Sequence, residues 1–329
     1  MGLRGYVLKR LVYMAILIWA VITVEFLLFS LLPGNPLEAY VTGMRGIITE
    51  ERMEQLRAAF GLDRPLHEQY INTVVRLLTF NFGLSAHSTA PVSFEIMRRL
   101  PNTLVLMGLS TVLSIIVGTL LGVLTAYKRG GIFDTGMVTA SLFTYSVPIF
   151  FIGWLLIFVF ALQLKWLPSG MIQPQEWAHN PPANVIEYVA GRLRHLVLPT
   201  LELFLFSVGG WILLARACVL ETITEDYVVT ARAKGLNERT VLYKHVLKNA
   251  SLPIITSVAL SFAFMISGAI ITETLFTYDG MGLLTFRALN PPDLPVLQGI
   301  FFILALCVIF ANFIADLLYG IIDPRIRYG

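Results

Sequence analysis

With 329 residues, 56% hydrophobic and 14% charged, and a mean hydropathy of +0.74, the chain is too apolar for the two soluble domains its length alone would give; it reads as an integral membrane protein. Its 24 Lys and Arg against 21 Asp and Glu leave a formal charge of +3, too small and dispersed for a nucleic-acid footprint. Cys218 and Cys307 both sit in apolar runs. They offer neither a disulfide framework nor a metal site and read as buried structural thiols.

Six apolar stretches are long enough to cross a hydrocarbon core of about 30 Å at about 1.5 Å per residue. The first, Leu11 to Leu32, follows Arg4, Lys9 and Arg10. It is longer than a secretory signal core, and Leu31, Leu32 and Pro33 offer no small-residue cleavage site, so it is expected to be an uncleaved span. An outer segment then runs to Pro101. In it Thr49 caps a helix with Glu50 and Glu51 in its first turn, Met53, Leu56 and Phe60 on one stripe and Gly61 at the stop. A second, amphipathic helix starts at Pro65, with Leu66, Tyr70, Val74 and Leu77 at helical spacing.

The second span, Asn102 to Tyr127, repeats Ser114, Gly118, Gly122 and Ala126 every fourth residue, a stripe that lets two helices approach closely. Pro148 should kink the third span, Gly136 to Leu162. The remaining spans are Leu196 to Leu220, Ile254 to Thr272 and Val296 to Tyr319. Glu25, Glu202 and Asp316 lie within spans and Glu273 at the outer end of the fifth; intramembrane acids are costly and point to a polar pathway. Asp316 is close enough to the inner end to be interfacial. Glu25 and Glu202 are the better pathway candidates, with a structural pair or a protonated buried acid as the alternatives. An N-in, C-in orientation makes Lys and Arg roughly twofold denser inside than outside, as the positive-inside tendency requires.

The largest inward loop, Glu221 to Pro253, reads ETITEDYVVTARAKGLNERTVLYKHVLKNASLP. A short helix from about Asp226 to Lys234 should stop at Gly235, and Asn237 should cap a second helix with Glu238 in its first turn. Leu242, His245, Val246 and Asn249 then share one face, with Lys244 and Lys248 opposite. Such a helix-glycine-helix plug could pass a push from a cytoplasmic partner into the membrane; a basic loop on anionic head groups is the alternative.

The run from Asp226 through Ala231-Arg232-Ala233-Lys234-Gly235-Leu236, followed by His245, Lys248-Asn249-Ala250 and Leu252-Pro253, resembles the coupling loop of ABC importer permeases, closest to the first permease of the dipeptide, oligopeptide and nickel branch. Val229, Thr230 and Ala231 depart from the acid and two alanines of the broad permease pattern, a departure that branch shares. Leu32 to Pro36, Phe60 to Asp63, Lys128 to Gly130, Ser146 to Pro148, Thr272 to Thr274, Gly280 to Gly282, Pro295 to Gly299 and Asp323 to Arg327 resemble the branch in the same order.

The resemblance implies an all-α membrane protein with the six-helix type I importer fold and a helical extracytoplasmic insertion. Residues 1–32 would hold the tail and first span, 33–101 the insertion, 102–322 the five-helix core with the 221–253 loop, and 323–329 a cytoplasmic tail. It implies a multi-pass protein of the cytoplasmic membrane that pairs with a second, homologous permease, docks two ATPase subunits and receives substrate from an extracytoplasmic binding protein. ATPase coupling would fall to Asp226, Tyr227, Ala231, Arg232, Ala233, Lys234, Gly235, Glu238, His245 and Asn249. Ala231 and Ala233 would allow close docking, Gly235 the turn, and Arg232, Lys234, Glu238 and His245 polar contacts. Glu25, Glu202 and Glu273 are pathway candidates, with Pro148, Gly118 and Gly122 for hinge or packing.

The chain has no G-x-x-x-x-G-K-[S/T] loop, so ATP and Mg are expected on the partner ATPases and no cofactor on this chain. Its five histidines are too scattered for a metal site, and neither a catalytic residue nor nucleic-acid binding is expected. Peptide is the first choice of substrate on branch frequency, with oligosaccharides, glutathione and nickel complexes as alternatives. A proton-coupled secondary transporter using the intramembrane acids is the rival class; against it, no inverted repeat is evident. The outer Trp166 and Trp177 could stack on sugars, but interfacial enrichment of Trp explains them as well.

Overall fold

A computed structural model describes residues 3–31, 64–265 and 269–322. Apart from one antiparallel bridge between Leu84 and Pro91, the regular elements among the described residues are helical. They are α1 (Leu3–Leu31), α2 (Leu66–Leu78), α3 (Val92–Tyr127), α4 (Ile132–Ser146) and α5 (Ile149–Leu156), the last continued by a π-helical turn, Ile157–Gln163. A 3-10 turn (Gln175–Ala178) precedes α6 (Val185–Ile223) and α7 (Asp226–Ala233). Then α8 (Glu238–Thr240) passes through a π-helical turn, Val241–Val246, into α9 (Leu247–Met265), followed by α10 (Ile270–Leu275), α11 (Met281–Leu289) and α12 (Leu294–Ile322).

Four helices are long and apolar enough to cross a membrane, over Gly5–Ser30, Val92–Tyr127, Val185–Ile223 and Leu294–Ile314. The expected third span is sharply bent, α4 and α5 meeting at 99°. Pro148 is the cause: it cannot donate to the ladder, Val147 before it is extended, and α5 restarts on its far side. The fifth expected stretch falls on α9 and α10, with residues 266–268 outside the described ones, and is not among the four. The expected helix between Thr49 and Gly61 and the tail from Asp323 also lie outside the described residues. Two helices start ten or more residues earlier than hydropathy predicts. α3 begins at Val92 and runs through Pro101. α6 begins at Val185, where Asn184 Oδ1 accepts from Glu187 N at 2.9 Å and Glu187 Oε2 accepts from Ala183 N at 2.8 Å, a reciprocal cap.

The chain forms two compact units. The first spans Met1–Thr103, Ile266–Ile270 and Asp279–Gly329. Here α1 packs along α12, and Arg10 reaches Asp316 at 2.8 Å while the Tyr6 hydroxyl donates to Asp316 O at 2.9 Å, which makes Asp316 a helix-pairing residue. Its core brings together Ile22 of α1, Leu77 of α2, Ile96 of α3, Met281 of α11 and Ile300 and Phe302 of α12. Asp279 is clamped to the first turns of α3: its carboxylate accepts from Arg99 Nε at 2.7 Å and from Arg98 at 3.3 Å, its carbonyl accepts from Asn102 at 2.7 Å, and Arg99 also pairs with Glu95.

Asp293, wholly buried, ties the loop after α2 to the start of α12. Its carboxylate accepts from Ser85 Oγ at 2.7 Å and His87 N at 3.2 Å, and it caps α12 through Val296 N at 3.4 Å. Bonds to a buried charged acceptor are worth about 1.5–3 kcal/mol each, and orphaned donors add to the loss. Asp293→Ala is therefore expected to lower the thermal unfolding midpoint of the detergent-solubilised protein clearly, and Asp293→Asn to lower it less. An unchanged midpoint for the alanine variant would remove Asp293 from this anchoring role.

The second unit spans Leu104–Met265 and Ile271–Tyr278 and is organised on α6, which α4, α5 and α9 flank. At 39 residues α6 is about 58 Å long, more than a bilayer core. α3 joins it through the small-residue stripe. A Cβ on Gly122 would lie 2.5 Å from Ile212 O and 2.7 Å from Ala215 Cβ, and one on Gly118 3.1 Å from Val208 O. Gly209 serves α4 likewise, its Cβ position 2.7 Å from Ser141 O.

Candidate functional site

The loop between α6 and α9 folds as a compact plug. Asp226 opens α7 in the first turn, where its charge complements the helix dipole. Lys234 N donates to Thr230 O at 3.1 Å and Gly235 N to Arg232 O at 2.9 Å, closing α7, and Gly235 has a φ of +77°, the left-handed stop the sequence predicts. Asn237 Oδ1 accepts from Thr240 N at 2.8 Å and caps the second helix.

That second helix differs from the expected face pattern. The π turn over Val241–Val246 widens the spacing, so Val241 and Val246, five apart, both point inward with Ala250. Asn249 turns outward and bonds back to His245 O at 3.2 Å, and Lys244 and Lys248 stay exposed. His245 is half-buried.

The inward residues build one apolar cluster with the ends of α3 and α6: Val228 and Ala231 of α7, Val241, Val246 and Ala250, against Ala126, Ala215 and Val219. Each fully buried valine contributes about 1.5–3 kcal/mol, so the plug is part of the α6 core. Ala231 is only 4% exposed. It packs against the plug's own core, while Ala233 remains exposed.

The outward face carries Asp226, Tyr227, Arg232, Ala233, Lys234 and Glu238. Arg232 Nε donates to Glu238 Oε1 at 3.0 Å, with a second, longer contact of 3.5 Å. The pair brackets the Gly235 turn and, being exposed, adds about 0.2–1 kcal/mol. It forms part of an exposed polar ridge of both signs.

Sequence reasoning missed a second ion pair at this end of the unit. Arg216 of α6 donates to both carboxylate oxygens of Asp134 of α4, at 2.7 and 3.0 Å, and Gly130 N donates to the same carboxylate at 2.9 Å. The signal was available: Arg216 is the sole cation in the run from Leu196 to Leu220, and such a charge needs a partner.

Among the pathway candidates, Glu25 is buried in the first unit, and Glu202 and Glu273 are wholly buried in the second. Glu202 sits on α6 against Gly153 of α5: a Cβ there would collide with its carboxyl group and with Leu275 of α10. At the other end of α6, Arg194 donates to Trp166 O at 2.9 Å and His195 Nδ1 to Gly170 O at 2.6 Å, while Trp177 stacks on Tyr188 at 5.7 Å. Trp177 is therefore engaged within the chain, and Trp166 stays exposed. Nearby, burial pushes the Tyr278 phenol up to about 12, with the Arg192 charge pulling the other way. Among the described residues no cluster of His, Cys, Asp and Glu could hold a metal ion.

Comparison with known proteins places this architecture. Residues 118–328 match the family described as binding-protein-dependent transport system inner membrane component, and residues 3–107 match its N-terminal region family. A probable peptide ABC transporter permease protein of Sinorhizobium fredii is 37% identical, covering 98% of this chain and 99% of its own length. The dipeptide transport system permease protein of Escherichia coli is 34% identical over 98% of each chain, and the oligopeptide transport system permease protein of Bacillus subtilis 33% identical over 99% of this chain and 100% of its own. A chain of the solved MetNI methionine ABC transporter, 14% identical, superposes with a TM-score of 0.53 over 70% of this chain and 97% of its own; that likeness concerns the fold. The helical plug on α6, the sharply bent third span and the match along nearly the whole length agree: this multi-pass membrane chain has the permease fold of ABC importers and belongs to the inner-membrane-component family of binding-protein-dependent transport systems.

Proposed function

We propose that the chain is one of two permease subunits of an ATP-driven importer that carries di- or oligopeptides inward from an extracytoplasmic binding protein. The observation that carries this reading is the plug: an exposed polar ridge around Gly235 on a buried valine core continuous with α6. A partner ATPase that closes on ATP and Mg would push the ridge, and the push reaches α6 without slack because the plug has no separate core. The ridge residues Asp226, Tyr227, Arg232, Ala233, Lys234 and Glu238 carry the docking, with His245 and Asn249 beside them. The chain itself hydrolyses nothing. Its orientation is N-in and C-in, which puts the plug in the cytoplasm.

Peptide is the substrate class because relatives named for peptide, dipeptide and oligopeptide transport match at 33–37% identity over nearly the full chain. Glu202, Glu273 and Glu25 are the polar groups with which the bundle can line a pathway. The test is uptake into proteoliposomes holding this chain with its co-purifying permease, ATPases and binding protein, offered labelled peptides, oligosaccharides or nickel chelates. Uptake of peptides alone, dependent on ATP and on the binding protein, is expected. Uptake of sugars or nickel would move the substrate, and uptake driven by a proton gradient without ATP would overturn the importer reading.

A further inference from the structure

Helix α2 has more apolar surface than the described residues cover. At 3.6 residues per turn its side chains fall on three arcs. Tyr70, Val74 and Leu77 face the first unit's core: Leu77 is 1% exposed, the Tyr70 hydroxyl is 2.9 Å from Thr23 Oγ1, and its ring meets Phe26 edge-on at 5.3 Å. Glu68, Asn72 and Arg76 form a polar arc, and the Arg76 guanidinium donates to Phe82 O at 3.2 Å. On the third arc, Ile71, Val75 and Leu78 are 57%, 54% and 53% exposed. They sit one helical turn apart and continue the apolar side, with nothing of the described chain over them.

The contact with α1 fixes the depth of this arc. Thr23 and Phe26 belong to the apolar stretch Gly5–Ser30, which is long and apolar enough to cross the membrane. Thr23 lies about 10 Å short of the end of that stretch at about 1.5 Å per residue, the depth of about 5–10 Å at which helices lying in the membrane interface bury their apolar sides.

We propose that α2 is an in-plane helix of one leaflet, with Ile71, Val75 and Leu78 covered by lipid acyl chains and the arc of Glu68, Asn72 and Arg76 turned to the head groups and water. The helix would then brace α1 laterally, held by Tyr70 on one side and by lipid on the other.

The experiment places one spin label at a time, through Ile71→Cys, Val75→Cys, Leu78→Cys, Glu68→Cys or Asn72→Cys, in the full chain carrying Cys218→Ala and Cys307→Ala. The protein is reconstituted in phosphatidylcholine vesicles with its co-purifying subunits. Collision rates with oxygen, which partitions into acyl chains, are compared with those of a water-soluble nickel chelate. At 71, 75 and 78 oxygen should exceed the chelate several-fold, and at 68 and 72 the ratio should reverse. Exclusion of both reagents from 71, 75 and 78 would mean that protein covers the stripe, and free access of the chelate that it faces water; either result overturns the proposal.

Discussion

Gly235→Pro is expected to abolish ligand-stimulated ATP hydrolysis by the assembled importer, while Gly235→Asn keeps most of it. The residue has a φ of +77°, and proline is held near −65°. The substitution also removes the N–H that donates to Arg232 O at 2.9 Å, so α7 loses its stop and the Arg232–Glu238 pair across the turn separates. The damage falls on the ridge proposed to meet the ATPase and spares the valine core, so the variant should still insert. A non-glycine residue in the left-handed region costs about 1–2 kcal/mol, and asparagine less. No atom stands within 4 Å of a Cβ at Gly235, so Gly235→Ala tests conformation without a clash and should fall between the two. The measurement is ATPase activity with and without loaded binding protein, beside co-purification of the ATPases. Wild-type stimulation in the proline variant would detach the plug from coupling.

Where local chemistry decides a feature, the sequence discloses it. Pro148 bends its span because a missing donor acts whatever surrounds it, Gly235 and Asn237 set the turn between α7 and α8, and the spacing of Gly118 and Gly122 marks the face that meets α6. What stayed hidden depends on partners far along the chain. The first turns of α3 carry Glu95, Arg98 and Arg99 and look like a polar loop until Asp279, some 180 residues on, neutralises them. The π turn over Val241–Val246 places two valines five apart in one apolar cluster, and no residue type in VLYKHV announces it. The early start of α6 was legible in principle: Asn184 and Glu187 are spaced as a cap, but apolar content hides a helix whose first turns leave the bilayer. Of the functional face, the polar ridge could be read from residue type, whereas the inward turn of Ala231 required knowing that α7 packs on the ends of α3 and α6.

Gly122→Leu should have the largest effect on the folded protein. Its Cβ would stand 2.5 Å from Ile212 O, 2.7 Å from Ala215 Cβ and 3.2 Å from Arg216 N. Two of these three are backbone atoms of α6 and cannot rotate away, so the two helices must separate. Overpacking a well-filled contact costs about 1–3 kcal/mol when side chains can adjust, and more when they cannot. The separation would act further along α6, because Ala126, one turn beyond Gly122, and Ala215 both belong to the core of the plug. Arg216, which holds Asp134 of α4, sits on the same turn of α6. One substitution at the seam should thus loosen three helices and the plug together. The expected outcome is loss of monodisperse protein in detergent, or a strongly lowered unfolding midpoint with no transport. Gly136→Ala on α4, where nothing lies within 4 Å of the added Cβ, should leave transport intact and raise the midpoint slightly, since alanine is favoured over glycine in a helix by up to about 1 kcal/mol. A Gly122→Leu protein that matches wild type in both midpoint and uptake would mean that α3 and α6 do not rely on close backbone approach.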